Sequence, residues 1–142
     1  MKQINIKQAV IFAGGKGLRL RPITDSFPKP MVLIHGAPFL DYLIKSIYDA
    51  GINNILILTG YKSEVLEEYY KKRRIGNINI QFSKGEVNFR TGKRLINAYE
   101  KLDPYFLLLY GYHKNYMGNI VHLKMDFNKI IICLKGKVKN EI

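Results

Sequence analysis

From Gln8 to Ala13 the chain reads QAVIFA, an apolar run that stops at Gly14-Gly15. Such a run predicts a buried strand followed by a sharp loop. After Pro38, the residues Leu40, Leu43, Ile44 and Ile47 recur at helical spacing, and Gly51 supplies a stop. Asn54 to Thr59, NILILT, predicts a second buried strand. Gly60-Tyr61 then turns the chain into a helix over about 63–72. Ser63 is its expected N-cap, Glu64 sits in the first turn, and Val65, Leu66, Tyr69 and Tyr70 form its apolar face. Ile78, Ile80 and Phe82 alternate with polar residues, the period of a half-buried strand. A polar stretch runs to Arg90. Leu95, Ala98, Tyr99 and Leu102 mark a third helix, and Tyr105 to Tyr110 a fourth strand. Residues 111–129 show no clear period, and one more strand is expected within Asn128 to Val138.

Strand and helix thus alternate four times. That order predicts an α/β fold, a Rossmann-like three-layer sandwich with a mostly parallel sheet. Ligands of such sheets lie beyond the carboxyl ends of the strands, and the glycine-rich loop leaves a strand at that end. We divide the chain into an α/β unit, 1–111, and a C-terminal tail, 112–142. A sheet that ended at the fourth strand would leave an edge and an apolar face uncovered, which leaves a homo-oligomer open.

The 142 residues suffice for one compact domain. Composition adds a net charge of +12, which calls for an anionic partner: nucleic acid, anionic membrane or a phosphorylated small molecule. The cations are dispersed. Residues 1–110 hold 17 Lys and Arg against 9 Asp and Glu, and residues 111–142 hold 6 against 2. The one cluster, Lys71-Lys72-Arg73-Arg74, reads as a solvated helix end. With diffuse charge and no nucleic-acid motif, no specific nucleic-acid partner is expected. No apolar run is long enough to span a bilayer, and Met1 to Gln8 lacks the apolar core of a signal peptide. A single cysteine, Cys133, forbids an intramolecular disulfide and fits a cytoplasmic location; it reads as a small buried hydrophobe. His35, His113 and His122 stand singly, without metal-ligand spacing.

The chemistry concentrates in the loop GGKGLRLRPITDSFPKP, with three glycines, three prolines and four basic residues. Long ordered loops are often functional. Glycines at 14, 15 and 17 let backbone N–H groups approach a phosphate closely. Arg19, Arg21 and Lys29 add positive charge; arginine offers a planar fork and lysine a point charge. The loop is not a Walker A sequence. Nor is it a dinucleotide fingerprint: Leu20 stands where the third glycine belongs, and no acidic residue ends the second strand. The string Ala13-Gly14-Gly15-Lys16-Gly17-Leu18-Arg19-Leu20-Arg21-Pro22, then Thr24, then Pro28-Lys29-Pro30-Met31, closely resembles the signature loop of the sugar-phosphate nucleotidyltransferases. The likeness continues through Pro38-Phe39-Leu40, Gly51-Ile52, Ile55 to Tyr61, Thr91-Gly92 and Leu107 to Gly111. It covers about 7–111 and is nearest to members that transfer guanylyl or cytidylyl groups to heptose or related sugar phosphates.

The resemblance implies a reaction in which a nucleoside triphosphate and a sugar-1-phosphate give a nucleotide sugar and pyrophosphate, with Mg²⁺ as cofactor. It implies catalytic roles for Arg19, on the leaving pyrophosphate, and Lys29, between the α-phosphate and the sugar phosphate. Ala13, Gly14, Gly15, Lys16 and Gly17 would hold the triphosphate, and Thr91 and Gly92 would line the base pocket. The sequence departs from the family pattern at Leu18, Arg90 and Gly85. It departs most at Tyr112, which occupies the position of a metal-binding aspartate. A phenol with a reference pKa near ~10 is a poor magnesium ligand, so no metal residue is assigned. The family's sugar-binding half is expected beyond residue 142. The alternative function is therefore a truncated, catalytically inactive nucleotide-binding or interaction module.

Overall fold

A computed structural model of the chain describes residues 5–111 and 131–134. Strand β1 (Gln8–Ala13) is buried along its whole length. The loop after it contains two 3-10 turns, Leu18–Leu20 and Lys29–Met31, and the single-turn helix α1 (Ile23–Ser26). Strands β2 (Leu33–Ile34) and β3 (Ala37–Pro38) form a small antiparallel hairpin. Helix α2 (Phe39–Asp49) leads to β4 (Asn54–Thr59), α3 (Ser63–Lys71) to β5 (Asn79–Lys84), and α4 (Thr91–Asn97) with a 3-10 turn (Tyr99–Lys101) to β6 (Tyr105–Tyr110). Strand β7 (Ile131–Leu134) follows.

The five-stranded sheet runs in the order β5-β4-β1-β6-β7. The first four strands are parallel, with Ala13 beside Thr59, Thr59 beside Lys84, and Phe12 beside Tyr110. Strand β7 pairs antiparallel with β6. The expected mostly parallel α/β sheet is therefore the observed one. The further strand expected within 128–138 is β7, and it covers the edge beside β6. A parallel core with an antiparallel edge is a common arrangement for such sheets.

Central strands buried on both faces read as continuous apolar runs, and β1 shows why. Ala9, Ile11 and Ala13 pack on one face with Ile55, Ile57, Leu40, Leu43, Ile44, Ile47 and Leu66. Val10 and Phe12 pack on the other with Leu56, Leu58, Ala98, Leu102 and Phe106. Helices α2 and α3 thus cover one face, and α4 with its following turn the other. Gly51, at φ 88°, ends α2. The Ile52 N–H donates to Ile47 O at 3.2 Å and the Gly51 N–H to Tyr48 O at 2.8 Å, the double bond of a Schellman motif. No helix among the described residues is long and apolar enough to cross a membrane.

Two sequence expectations change at this level. Ser63 does not cap α3: Lys62 holds that position in a left-handed conformation, φ 50° and ψ 41°. Side-chain capping needs an extended residue before the helix. Ser63 is instead the first helical residue, buried, with a hydroxyl lacking a partner among the described residues. The third helix starts at Thr91 and stops at Asn97, and Tyr99 and Leu102 belong to the tighter turn and its exit. The basic cluster after Tyr70 is exposed, as expected, but Arg73 is tied down. It pairs with Asp41 at 3.1 Å and lies over the Tyr69 ring. Asp41 also accepts the Tyr69 and Tyr70 hydroxyls at 2.9 and 2.7 Å, joining α3 to α2. Burial, then Asp41, pushes the Tyr70 phenol pKa up.

Candidate functional site

The chain runs from β1 through β4 to β5 on one side and then returns to place β6 on the other side of β1. Beyond the carboxyl ends of β1 and β6, where the strand order reverses, such sheets open a crevice. A cleft of about 490 Å³ lies there. Its walls are Phe12, Ala13, Gly14 and Gly15 from β1 and its loop, and Lys29 and Pro30 from the loop's far end. Val87, Phe89, Arg90, Thr91 and Arg94, around the start of α4, and Tyr110 from β6 complete it. The Phe12 and Tyr110 rings lie 5.3 Å apart. The Gly111 N–H donates to Phe12 O at 2.8 Å and holds the two strand ends together.

Each loop glycine answers a different constraint. A Cβ at Gly15 would meet nothing within 4 Å, so Gly15 leaves its backbone open to an incoming group. Gly17 is left-handed, at φ 61°. Its carbonyl accepts the Thr24 hydroxyl at 2.8 Å, and Tyr61 in turn donates to Thr24 O at 2.9 Å. At Gly14 a Cβ would overlap the guanidinium of Arg94.

Arg94 is the residue that sequence reasoning passed over. It lies only three residues into α4 yet is 5% exposed. It donates to Thr59 O at 2.9 Å, to Gly14 O at 3.1 Å and to Val87 O at 3.1 Å. These carbonyls belong to the end of β4, the start of the glycine loop and the segment after β5. The one signal in the sequence was a cation next to Leu95, the first apolar residue of the helix's predicted stripe.

The structure brings Ala13, Gly14, Gly15, Lys29 and Thr91 to the walls of the cleft. Lys16, Gly17, Arg19 and Gly92 lie outside its lining; Gly92 borders a shallower hollow with Arg90 and Lys93. Arg19 is exposed, and its charge reaches Lys29. Partial burial and then repulsion from Arg19 hold the Lys29 ammonium below its ordinary pKa of 10.5. Arg21 pairs with Asp25 at 3.1 Å. Tyr112, His113, His122 and Asp126, and the surroundings of Cys133, lie outside the described residues. Among the described residues no group of three or more His, Cys, Asp or Glu could hold a metal. The described cleft lining contains three cations and no carboxylate. A hard cation such as Mg²⁺ takes oxygen ligands, carboxylates above all, so this donor set does not fit it.

The sequence model of the nucleotidyl transferase family matches residues 8–119. The D-glycero-alpha-D-manno-heptose 1-phosphate guanylyltransferase of Campylobacter jejuni is 31% identical over 94% of this chain and 59% of its own length. The mannose-1-phosphate guanylyltransferase of Mycobacterium tuberculosis is 39% identical over 66% of this chain and 26% of its own. Among solved structures, HddC from Yersinia pseudotuberculosis complexed with GMP-PN superposes with a TM-score of 0.65 at 31% identity. The match covers 75% of this chain and 48% of HddC. This chain thus spans from 26% to 59% of the length of these relatives.

Proposed function

The chain belongs to the nucleotidyl transferase family, and from that premise we propose that the cleft binds the phosphates of a nucleoside triphosphate, as the nucleotide-binding half of a sugar-1-phosphate nucleotidyltransferase. One observation carries this reading. At the point where the strand order reverses, Gly15 leaves backbone open beside Lys29, Arg90 and Arg94, with no described carboxylate in the wall. A concave site with cations and accessible backbone favours a phosphate group.

In the reaction this reading implies, an oxygen of the sugar phosphate attacks the α-phosphorus in line. The bond from that phosphorus to the bridging oxygen of the β-phosphate breaks, and pyrophosphate leaves. No protein nucleophile takes part; positioning and charge neutralisation lower the barrier. Lys29 contacts the α-phosphate and the incoming sugar phosphate, and Arg19 the departing pyrophosphate. Thr91 borders the base. Relatives named for guanylyl transfer make GTP the first nucleotide to try. No step is assigned to Mg²⁺, since the described lining does not fit it.

The test is calorimetric titration of GTP, CTP, UTP, ATP and dTTP into the wild-type chain, Arg19→Ala and Lys29→Ala. Each substitution should weaken binding of the preferred triphosphate by roughly 1.5–3 kcal/mol, the scale of charge-assisted hydrogen bonds. Equal affinity in all three proteins would remove the loop from the site.

A further inference from the structure

Resting on the nucleotide reading, we propose that Arg94 is a positioning residue for the phosphates: a buried cation that locks the glycine loop and lends its charge to the triphosphate. Its guanidinium fills the space between Gly14 and Gly60, where a Cβ on either glycine would collide with it. Through Gly14 O, Thr59 O and Val87 O it fastens three separate segments that meet at the cleft. Two of these carbonyls are doubly used: Gly14 O also accepts the Tyr61 N–H at 3.1 Å, and Thr59 O the Gly85 N–H at 3.0 Å. The loop's first residue is therefore set by Arg94 and Tyr61 together.

Locking alone would not require a charge. Among the described residues Arg94 forms no ion pair with a carboxylate, and its hydrogen bonds go to carbonyl oxygens. An uncompensated cation buried in protein is costly. It also lines the cleft, where a low local dielectric strengthens its attraction for an anion. A bound triphosphate supplies the counter-charge that no described carboxylate gives Arg94. The fork lies where a Cβ on Gly14 would stand, and the fork together with Gly14 O lies where one on Gly60 would stand.

The experiment titrates the wild type, Arg94→Lys and Arg94→Met with three probes. These are the triphosphate that binds the wild type most tightly, its parent nucleoside, and inorganic tripolyphosphate. Thermal unfolding with and without each probe runs in parallel. Arg94→Met should weaken the triphosphate and tripolyphosphate by about 10-fold or more and the nucleoside by less than about 3-fold. Arg94→Lys should recover part of the loss, because it keeps the charge without the fork. A scaffold without an electrostatic role would lower triphosphate and nucleoside affinity by the same factor, and that result overturns the proposal. So does unchanged triphosphate affinity in Arg94→Met. Should Arg94→Met not fold, the comparison of probes in Arg94→Lys decides: a selective loss of the two phosphate probes supports the role, and a uniform loss or none refutes it. A wild type that binds no triphosphate sinks the nucleotide reading itself, and this inference with it.

Discussion

Lys29 is the residue whose chemistry gives the cleft a measurable pH signature. Partial burial and the nearby charge of Arg19 depress its pKa from the ordinary 10.5. An anionic ligand favours the ammonium, so triphosphate binding raises that pKa and takes up a proton in the alkaline range. Affinity is full below the pKa of the unliganded protein and falls as pH rises through it, by up to about 10-fold per pH unit until the pKa of the complex is reached. In Lys29→Arg the guanidinium stays charged across this range, so the decline should vanish while neutral-pH affinity is largely kept. Titrations from about pH 7.5 to 10.5 compare the two. Parallel decline in both proteins would assign the effect to another group. Gly14 and Gly15 carry a second lesson at this scale: adjacent in sequence and identical in type, one is small to admit Arg94 and the other to leave the cleft open.

Among elements, the ends of β1 and β4 are the most tightly constrained join. Gly60, just after β4, is buried, and a Cβ there would lie 2.8 Å from Gly14 O and 2.6 Å from Arg94 Nη1. The backbone oxygen cannot swing aside as a side chain can. Gly60→Ala should destabilise the fold by about 1–3 kcal/mol, the usual cost of overpacking, and weaken triphosphate binding. Chemical denaturation and the same titration measure both. Gly15→Ala, with open space around it, should leave stability within about 0.5 kcal/mol, and equal destabilisation by the two changes would contradict this geometry. The elements themselves were legible because periodicity reports burial. The buried runs QAVIFA and NILILT became β1 and β4, and the Leu40–Ile47 stripe became the inner face of α2. What periodicity cannot report is a contact between distant residues. Arg94 looked like one more surface cation because its partners lie 7, 35 and 80 residues away. Ser63 looked like a cap because the left-handed Lys62 leaves no compositional mark. The loop's chemistry was legible as a string of glycines and cations, but the side of the loop each one faces was not.

For the whole molecule, two facts bear on turnover. The described cleft is cationic without a carboxylate, and the chain spans 59% of the Campylobacter guanylyltransferase and 26% of the mycobacterial one. A positive cleft is sufficient for binding an anion. Displacement at the α-phosphorus also needs the accumulating charge on pyrophosphate to be stabilised and the sugar phosphate to be aimed in line. Losing one major electrostatic contributor costs about 10²–10³ in rate. The chain assayed alone is therefore expected to bind triphosphate yet turn over far below the usual enzyme range of about 1–10³ per second. Tyr112→Asp should raise Mg²⁺ affinity, since a carboxylate replaces a phenol. Pyrophosphate release is followed for the five common triphosphates against a panel of sugar-1-phosphates, with Mg²⁺ present and absent. The net charge of +12 makes salt a necessary variable, because diffuse cations bind any polyanion through counterion release. Turnover within the usual range by the unaltered chain would refute the expectation and would require a metal ligand outside the described cleft.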